Sequence, residues 1–372
     1  MRGALSAAAV GAVIGAPMAV LILFNAPLIT NGVRQGLEIC INTLLPSLFP
    51  FLILSSFLTK SGADSFLGKA LGRPICAALG LSPGGVGALL LSILCGFPIG
   101  TITATALLER GELDCAEWER LMPILNNPGA SFLIGAVGGG MLGSVRAGVA
   151  LFCIVWLSAL LLALTERLLM GRKTVGAAVA LPPTSHSTLT ADLTASIGGA
   201  LATLLPIFSF VIFFSCLATC LSAALAALGA PVALSVLIIG FLELTAGVGK
   251  ATSALSVQTA FCLCAAFSGF SGLSFCLQFA AMTEAHHPRL WRYLFKRLTI
   301  GAISALLALA YLKLTGDPLV SEKSTAALAT ANGWQSTTVL ICLFLLSGAV
   351  ALRLLSAQGR ARTVSPSKRK TP

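Results

Sequence analysis

Nine stretches of this chain contain no Asp, Glu, Lys or Arg: residues 3–33, 39–59, 74–108, 121–145, 147–165, 193–242, 251–283, 298–312 and 324–352. A helix that crosses a bilayer needs about 20 mainly apolar residues, and most of these windows reach that length. Only 10% of the residues are charged and 56% are hydrophobic, whereas soluble domains carry about 25% charge. A water-facing surface cannot be assembled from such a sequence. The windows therefore predict an all-α polytopic membrane protein.

The formal net charge of +11 fits this reading, because the basic residues fall in the polar connections and the tail. The terminal run holds Arg353, Arg360, Arg362, Lys368, Arg369 and Lys370. It reads as a cytoplasmic anchor beside anionic headgroups, and no nucleic-acid partner is expected. Eleven cysteines lie mostly in apolar segments without a Cys-x-x-Cys pair, as buried thiols do. Residues 1–30 read as a first transmembrane helix that stays attached rather than as a cleaved signal.

Polar linkers occur at 167–192, at 313–333 and after residue 352. They divide the chain into a first repeat over 37–166, a second over 193–313, a C-terminal helix over 334–356 and a basic tail over 357–372. The halves echo one another. Leu44-Leu-Pro-Ser-Leu-Phe-Pro-Phe-Leu-Ile-Leu-Ser55 aligns on Leu204-Leu-Pro-Ile-Phe-Ser-Phe-Val-Ile-Phe-Phe-Ser215. Gly96-Phe-Pro-Ile-Gly100 aligns on Gly240-Phe-Leu-Glu-Leu-Thr-Ala-Gly247, and Pro128-Gly-Ala-Ser-Phe132 on Ser271-Gly-Leu-Ser-Phe275. An insertion around 60–74 in the first half brings the three matches into one register.

Charge then suggests a topology. Each half is expected to cross three times and to hold one re-entrant hairpin, at 121–145 and 251–283. With the N-terminus inside, 18 of the 24 basic residues become cytoplasmic, Lys250, Arg289, Lys296 and Arg297 among them. Arg110, Arg120 and the acidic run from Glu109 to Glu119 fall outside. Three crossings per half would make the repeats inverted, as in many secondary transporters.

Lipid offers a broken backbone no hydrogen bonds, so interruptions inside apolar runs mark places that face protein, water or solute. Four occur: Gly96-Phe-Pro-Ile-Gly100, Asn126-Asn-Pro-Gly129, Glu243 within 240–247, and Ser268-Gly-Phe-Ser-Gly272. Proline removes a donor and glycine tolerates unwound backbone. Freed half-helix ends then present N–H and C=O groups to a ligand. Gly96, Pro98, Gly100, Thr101, Asn126, Asn127, Glu243, Thr245, Ser271, Ser274 and Gln278 are the expected solute-binding residues, with Thr103 and Thr105 as weaker candidates. Each break could instead serve helix packing. Glu243 ends a 50-residue charge-free run, residues 193–242. It reads as a proton or cation site or a hydrogen-bonding group for the solute, with pairing to Lys250 as the structural alternative. His286 and His287 precede Pro288 at an interface, and no metal site is expected from them. Neither a phosphate-binding loop, a Gly-x-Ser-x-Gly nor a His-Glu-x-x-His motif occurs. No enzyme activity and no cofactor are expected.

These same residues resemble the sporulation integral membrane proteins of the YlbJ type, a group with nucleoside-recognition (Gate) domains distantly similar to concentrative nucleoside transporters. The resemblance runs through Leu44–Phe51, Gly96–Gly100, Glu109-Arg-Gly-Glu-Leu113, Asn126–Phe132, Gly240–Gly247, Gly269–Ser274 and Gln278, with Phe97 and Cys276 where the group's tyrosine and histidine are expected. It implies an inner-membrane protein of an endospore-forming bacterium, in the cytoplasmic or outer forespore membrane. The implied activity is passage of a small anion such as dipicolinic acid. A nucleoside-type transporter, or a non-transporting scaffold in a spore-maturation complex, are the alternatives. Expected partners are the solute, membrane lipids, and a second copy or other spore-maturation membrane proteins.

Overall fold

The computed structural model describes residues 25–61, 74–170 and 189–315, all of them helices and their connections. The expected N-terminal helix up to residue 24, most of the central linker, the insertion near residue 60, the C-terminal helix and the basic tail lie outside the described residues. The chain is an all-α multi-pass membrane protein. Four described helical segments are long and apolar enough to cross a bilayer, or five if a pair bent by 53° counts as one.

In the first half, α1 (Ala26–Ile39) passes through a π turn at Cys40–Leu44 into α2 (Leu45–Ser61). Next come α3 (Pro83–Cys95), α4 (Ile99–Glu109), α5 (Cys115–Leu125), the π-wound α6 (Ser131–Met141) and α7 (Val145–Met170). The second half opens with one long helix, α8 (Leu189–Ala227), followed by α9 (Val232–Leu242), α10 (Leu244–Ala254), α11 (Val257–Phe270), α12 (Gly272–Met282) and α13 (Leu290–Thr315). Each half thus gives a leading helix or bent pair, two short helices, a broken segment and a closing helix.

Local chemistry sets the helix starts. Ser82 caps α3 by accepting from the Gly85 N–H at 3.1 Å, with Pro83 in the first turn. Asp114 caps α5 by accepting from the Glu117 N–H at 2.7 Å. Both are N-cap side chains satisfying donors that the first turn leaves unpaired. The helices then pack through small residues, as expected where lipid supplies no hydrophobic drive. Gly32 and Gly36 lay α1 on α8, so that a Cβ at either would fall within 2.6–2.7 Å of the Cys216 or Ile212 Cα. Large apolar side chains such as Leu205, Phe213, Trp291, Phe295 and Leu306 face outward.

The segments that fold back on themselves are α3–α4 and α9–α10, whose helices have 13, 11, 11 and 11 residues. In the second pair a Cβ on Gly247 would meet the Gly240 Cα at 2.1 Å, which brings the two legs into backbone contact. The expected hairpins at 121–145 and 251–283 are displaced from these. Residues Val257–Met282 instead run as one span interrupted at Ser271. The glycines that suggested a bend there are packing contacts: Gly138 lies on Gly148, and Gly269 on Gly301.

Moving each hairpin earlier in the chain also moves charges. Glu109 meets His286 at 3.3 Å, Glu119 meets Arg289 at 3.6 Å and Glu166 meets Lys296 at 2.8 Å. The acidic run therefore shares an end with Arg289 and Lys296, not the opposite one. Lys250 bonds to Ser222 near the C-terminal end of α8, at the other end of the molecule. Arg297, next to Lys296 on the same helix, is fully buried and so presents no charge at the surface. The α3–α4 hairpin opens toward the His286 end of the α11–α12 span, and α9–α10 toward its Val257 end. Labelling checks this arrangement: Cys115 is exposed and lines a pocket with Arg289 and Glu166. A membrane-impermeant maleimide is expected to reach Cys115 from the same side as a cysteine substituted for Arg289, and from the side opposite a cysteine substituted for Lys313. Labelling of all three from one side would refute the arrangement.

Candidate functional site

All four interruptions meet. The α3–α4 tip, Gly96-Phe97-Pro98, seats on the break between α5 and α6. There the Phe97 N–H donates to the Asn127 carbonyl at 2.8 Å, and a Cβ on Gly96 would lie 2.3 Å from the Gly129 nitrogen. The peptide before Pro98 is cis. The α9–α10 tip, Glu243, seats on the break between α11 and α12: a Cβ on Gly272 would lie 3.1 Å from the Leu244 nitrogen. The two breaks touch each other, because the Ser271 hydroxyl faces the Asn126 carbonyl at 3.4 Å. Phe97 packs on Phe275 of α12 with ring centroids 4.7 Å apart.

Between the tips lies a cavity of about 50 Å³. Phe97, Pro128 and Gly129 of the first half line it with Glu243, Thr245 and Gln278 of the second, and apolar residues of α2 and α8 close it. The expected site residues therefore divide. Glu243, Thr245 and Gln278 line the cavity, while Thr101, Asn126, Asn127 and Ser271 build the frame beside it. Asn126 accepts from the Thr101 hydroxyl and donates to the Tyr293 hydroxyl at 3.0 Å. Asn127 donates to the Ile124 carbonyl at 2.9 Å. Ser274 accepts from the Gln278 amide at 3.2 Å. Gly100 packs on Ser92 across the first hairpin, and Thr105 accepts from the Trp118 indole N–H at 3.2 Å.

The frame is tied by a residue that its basic neighbours concealed. Arg297 is completely buried, yet among the described residues it forms no ion pair with a carboxylate. Its Nη1 donates to the Pro123 carbonyl at 2.9 Å and to Asn127 Oδ1 at 2.8 Å. Nε donates to the Phe270 carbonyl at 3.3 Å, and Nη2 to the Ser268 carbonyl at 3.3 Å and to the Ser271 hydroxyl. Five donors thus meet five acceptors, the full capacity of a guanidinium. Three of the acceptors are carbonyls near the C-terminal ends of α5 and α11, where the helix dipole presents negative charge. One cation caps a half-helix from each half of the chain. A signal existed in the sequence: Tyr293, Arg297, Ile300, Ser304 and Ala308 follow helical spacing and form the buried stripe of α13.

Glu243 is 1% exposed and caps α10, accepting from the Ala246 N–H at 2.6 Å. Lys250 bonds to Ser222 instead, so the alternative ion pair is not made. The helix N-terminus favours a carboxylate by up to about 2 kcal/mol, while insertion of an acidic side chain costs about 2.5–3.5 kcal/mol. The cap therefore offsets only part of that cost. Gln278 is 2% exposed, and its Oε1 has no partner.

The chain is similar to the sporulation integral membrane protein YlbJ of Bacillus subtilis (strain 168), with 31% identity over 141 residues, 38% of this chain and 34% of that protein. The match thus spans about a third of the relative's length. No family model matches the chain, and no solved structure matches it.

Proposed function

We propose that this chain, YlbJ-like over the matched stretch, is a permease that binds a small polar or anionic solute between its hairpin tips. Its place of action would be the cytoplasmic or outer forespore membrane of a sporulating cell, and it would act by binding and translocation rather than by catalysis. The observation that carries the reading is the meeting of four unwound segments, two from each half, beside a buried and mainly apolar cavity into whose wall Glu243, Thr245 and Gln278 bring polar side chains. Packing alone gives no reason for both hairpins to end on a helix break. Hairpins opening toward opposite ends suit alternating access, in which one tip parts from its break while the other stays seated. The cavity is large enough for about one water, so it corresponds to a closed intermediate.

Dipicolinic acid is the solute implied by the family resemblance, and a nucleoside is the alternative that the same resemblance implies. Gln278, Thr245 and Glu243 can hydrogen-bond either one. The end bearing Arg289, Arg292 and Lys296 would face the cytoplasm under the positive-inside rule. A second copy or other spore-maturation membrane proteins could assemble with it.

The test is uptake of radiolabelled dipicolinate and of uridine by liposomes containing the purified protein. Wild type is expected to exceed protein-free liposomes for one of them. Gln278→Ala should lower that uptake by about 10-fold, the effect of losing roughly 1.4 kcal/mol of binding. Equal flux with and without folded protein would favour the scaffold reading.

A further inference from the structure

We propose that Glu243 carries a proton through the transport cycle, so that one proton moves with each solute; this rests on reading the cavity as the solute site. Two side chains with acceptor oxygens line a space of about 50 Å³: Glu243, and Gln278, whose buried Oε1 has no partner among the described residues. No cation offsets the carboxylate. Lys250 on the same helix is held by Ser222. Arg297 lies behind the Ser271 turn with all five donors committed, and Tyr293 beside it holds Asn126. The α3–α4 tip contributes Phe97 and the Cys95 thiol, and α2, α8 and α6 contribute Leu48, Ile207, Val211, Ser131 and Phe132. Among the described residues, Glu243 and Cys95 are thus the ionisable groups that line the cavity.

An anion cannot enter such a space beside an ionised carboxylate, because two like charges would share a dry, apolar-walled site. Protonation removes the conflict and creates a donor. The Glu243 carboxyl O–H then points a hydrogen at an acceptor of the solute, and the solute's own donors reach Gln278 Oε1. When the opposite tip opens and water enters, the proton leaves Glu243 for the bulk, the carboxylate returns to its cap on the Ala246 N–H, and the anion is expelled. No bond other than O–H is made or broken.

Two measurements test this. Infrared spectra of the purified protein in detergent are expected to show a protonated carboxyl C=O band near neutral pH. It should disappear on alkaline titration and be absent in Glu243→Gln, whose amide oxygen can still accept from Ala246. In proteoliposomes an acid-outside gradient is expected to drive dipicolinate accumulation in wild type, by up to about tenfold per pH unit for one proton. Whatever flux Glu243→Gln retains should not respond to the gradient. Absence of the carboxyl band, or undiminished gradient-driven accumulation by Glu243→Gln, overturns the proposal. Failure of both proteins to move dipicolinate or uridine would count against the permease reading instead, and the infrared band would still decide whether Glu243 holds a proton.

Discussion

Replacing Arg297 with Met is expected to unfold the centre of this protein. The substitution keeps much of the side-chain volume but leaves the carbonyls of Pro123, Phe270 and Ser268 and the Asn127 side chain without their donor. Each stranded buried acceptor costs about 1–3 kcal/mol, so the sum over these four is on the order of 4–12 kcal/mol. Total stabilities are roughly 5–15 kcal/mol. The variant should lose its monodisperse peak in detergent or melt lower by about 10 °C or more, taking roughly 2–4 °C per kcal/mol for a chain of this size class. Arg297→Lys keeps the charge but has three donors where five are used, and should recover part of the loss. A thermal melt of Arg297→Met within about 2 °C of wild type would show that the latch does not hold the breaks together.

The second large effect is expected at Gly96. Its φ of +79° is a conformation that side-chain-bearing residues rarely adopt, and a Cβ there would meet the Gly129 nitrogen and Cα at 2.3 and 2.5 Å. Both obstacles are backbone, so no rotamer can relieve them. Gly96→Ala should therefore unseat the first hairpin tip, lowering stability by about 3 kcal/mol or more and abolishing uptake. The size joins left-handed strain of about 1–2 kcal/mol to overpacking of about 1–3 kcal/mol. Gly111 supplies the control: its φ is +71°, but nothing lies within 4 Å of its added Cβ. Gly111→Ala should cost the conformational strain alone and keep uptake. Equal melting temperatures for the two variants would show that the contact between tip and break contributes nothing.

The positions of the breaks were legible because their cause is local. Pro98 and the Asn126-Asn127-Pro128-Gly129 run disrupt an apolar helix by themselves, and Glu243 and Gly272 mark the second-half breaks as a cap side chain and a positive-φ glycine. The direction the chain takes after a break is not local. Gly138 and Gly269 read as bends, yet they admit Gly148 and Gly301 of neighbouring helices, and sequence spacing does not separate those uses of glycine. That ambiguity displaced the hairpins by one segment and sent the acidic run to the wrong end. Arg297 was hidden for a related reason. Four basic residues lie within nine positions, and only the packing of α13 shows that Arg297 turns inward while Lys296 pairs with Glu166. The likeness between the halves shows in their element order. One difference remains: the Leu44–Ser55 match follows a sharp bend in the first half, whereas its counterpart around Pro206 lies inside a continuous helix.

The hairpin legs, with 11 to 13 residues each, extend about 17–20 Å at 1.5 Å per residue, slightly more than half of a hydrocarbon core roughly 30 Å thick. Their tips therefore meet near its midplane, and on the proposed alternating-access reading the opening of either hairpin would hydrate about half of the membrane. The electrical potential then falls almost wholly across the half that stays shut. A unit charge at the midplane would experience nearly all of about 2.3 kcal/mol per 100 mV from one side and almost none from the other, the side reversing with each opening. A cell's voltage would thereby act on the switch between the two openings as well as on the ions crossing it.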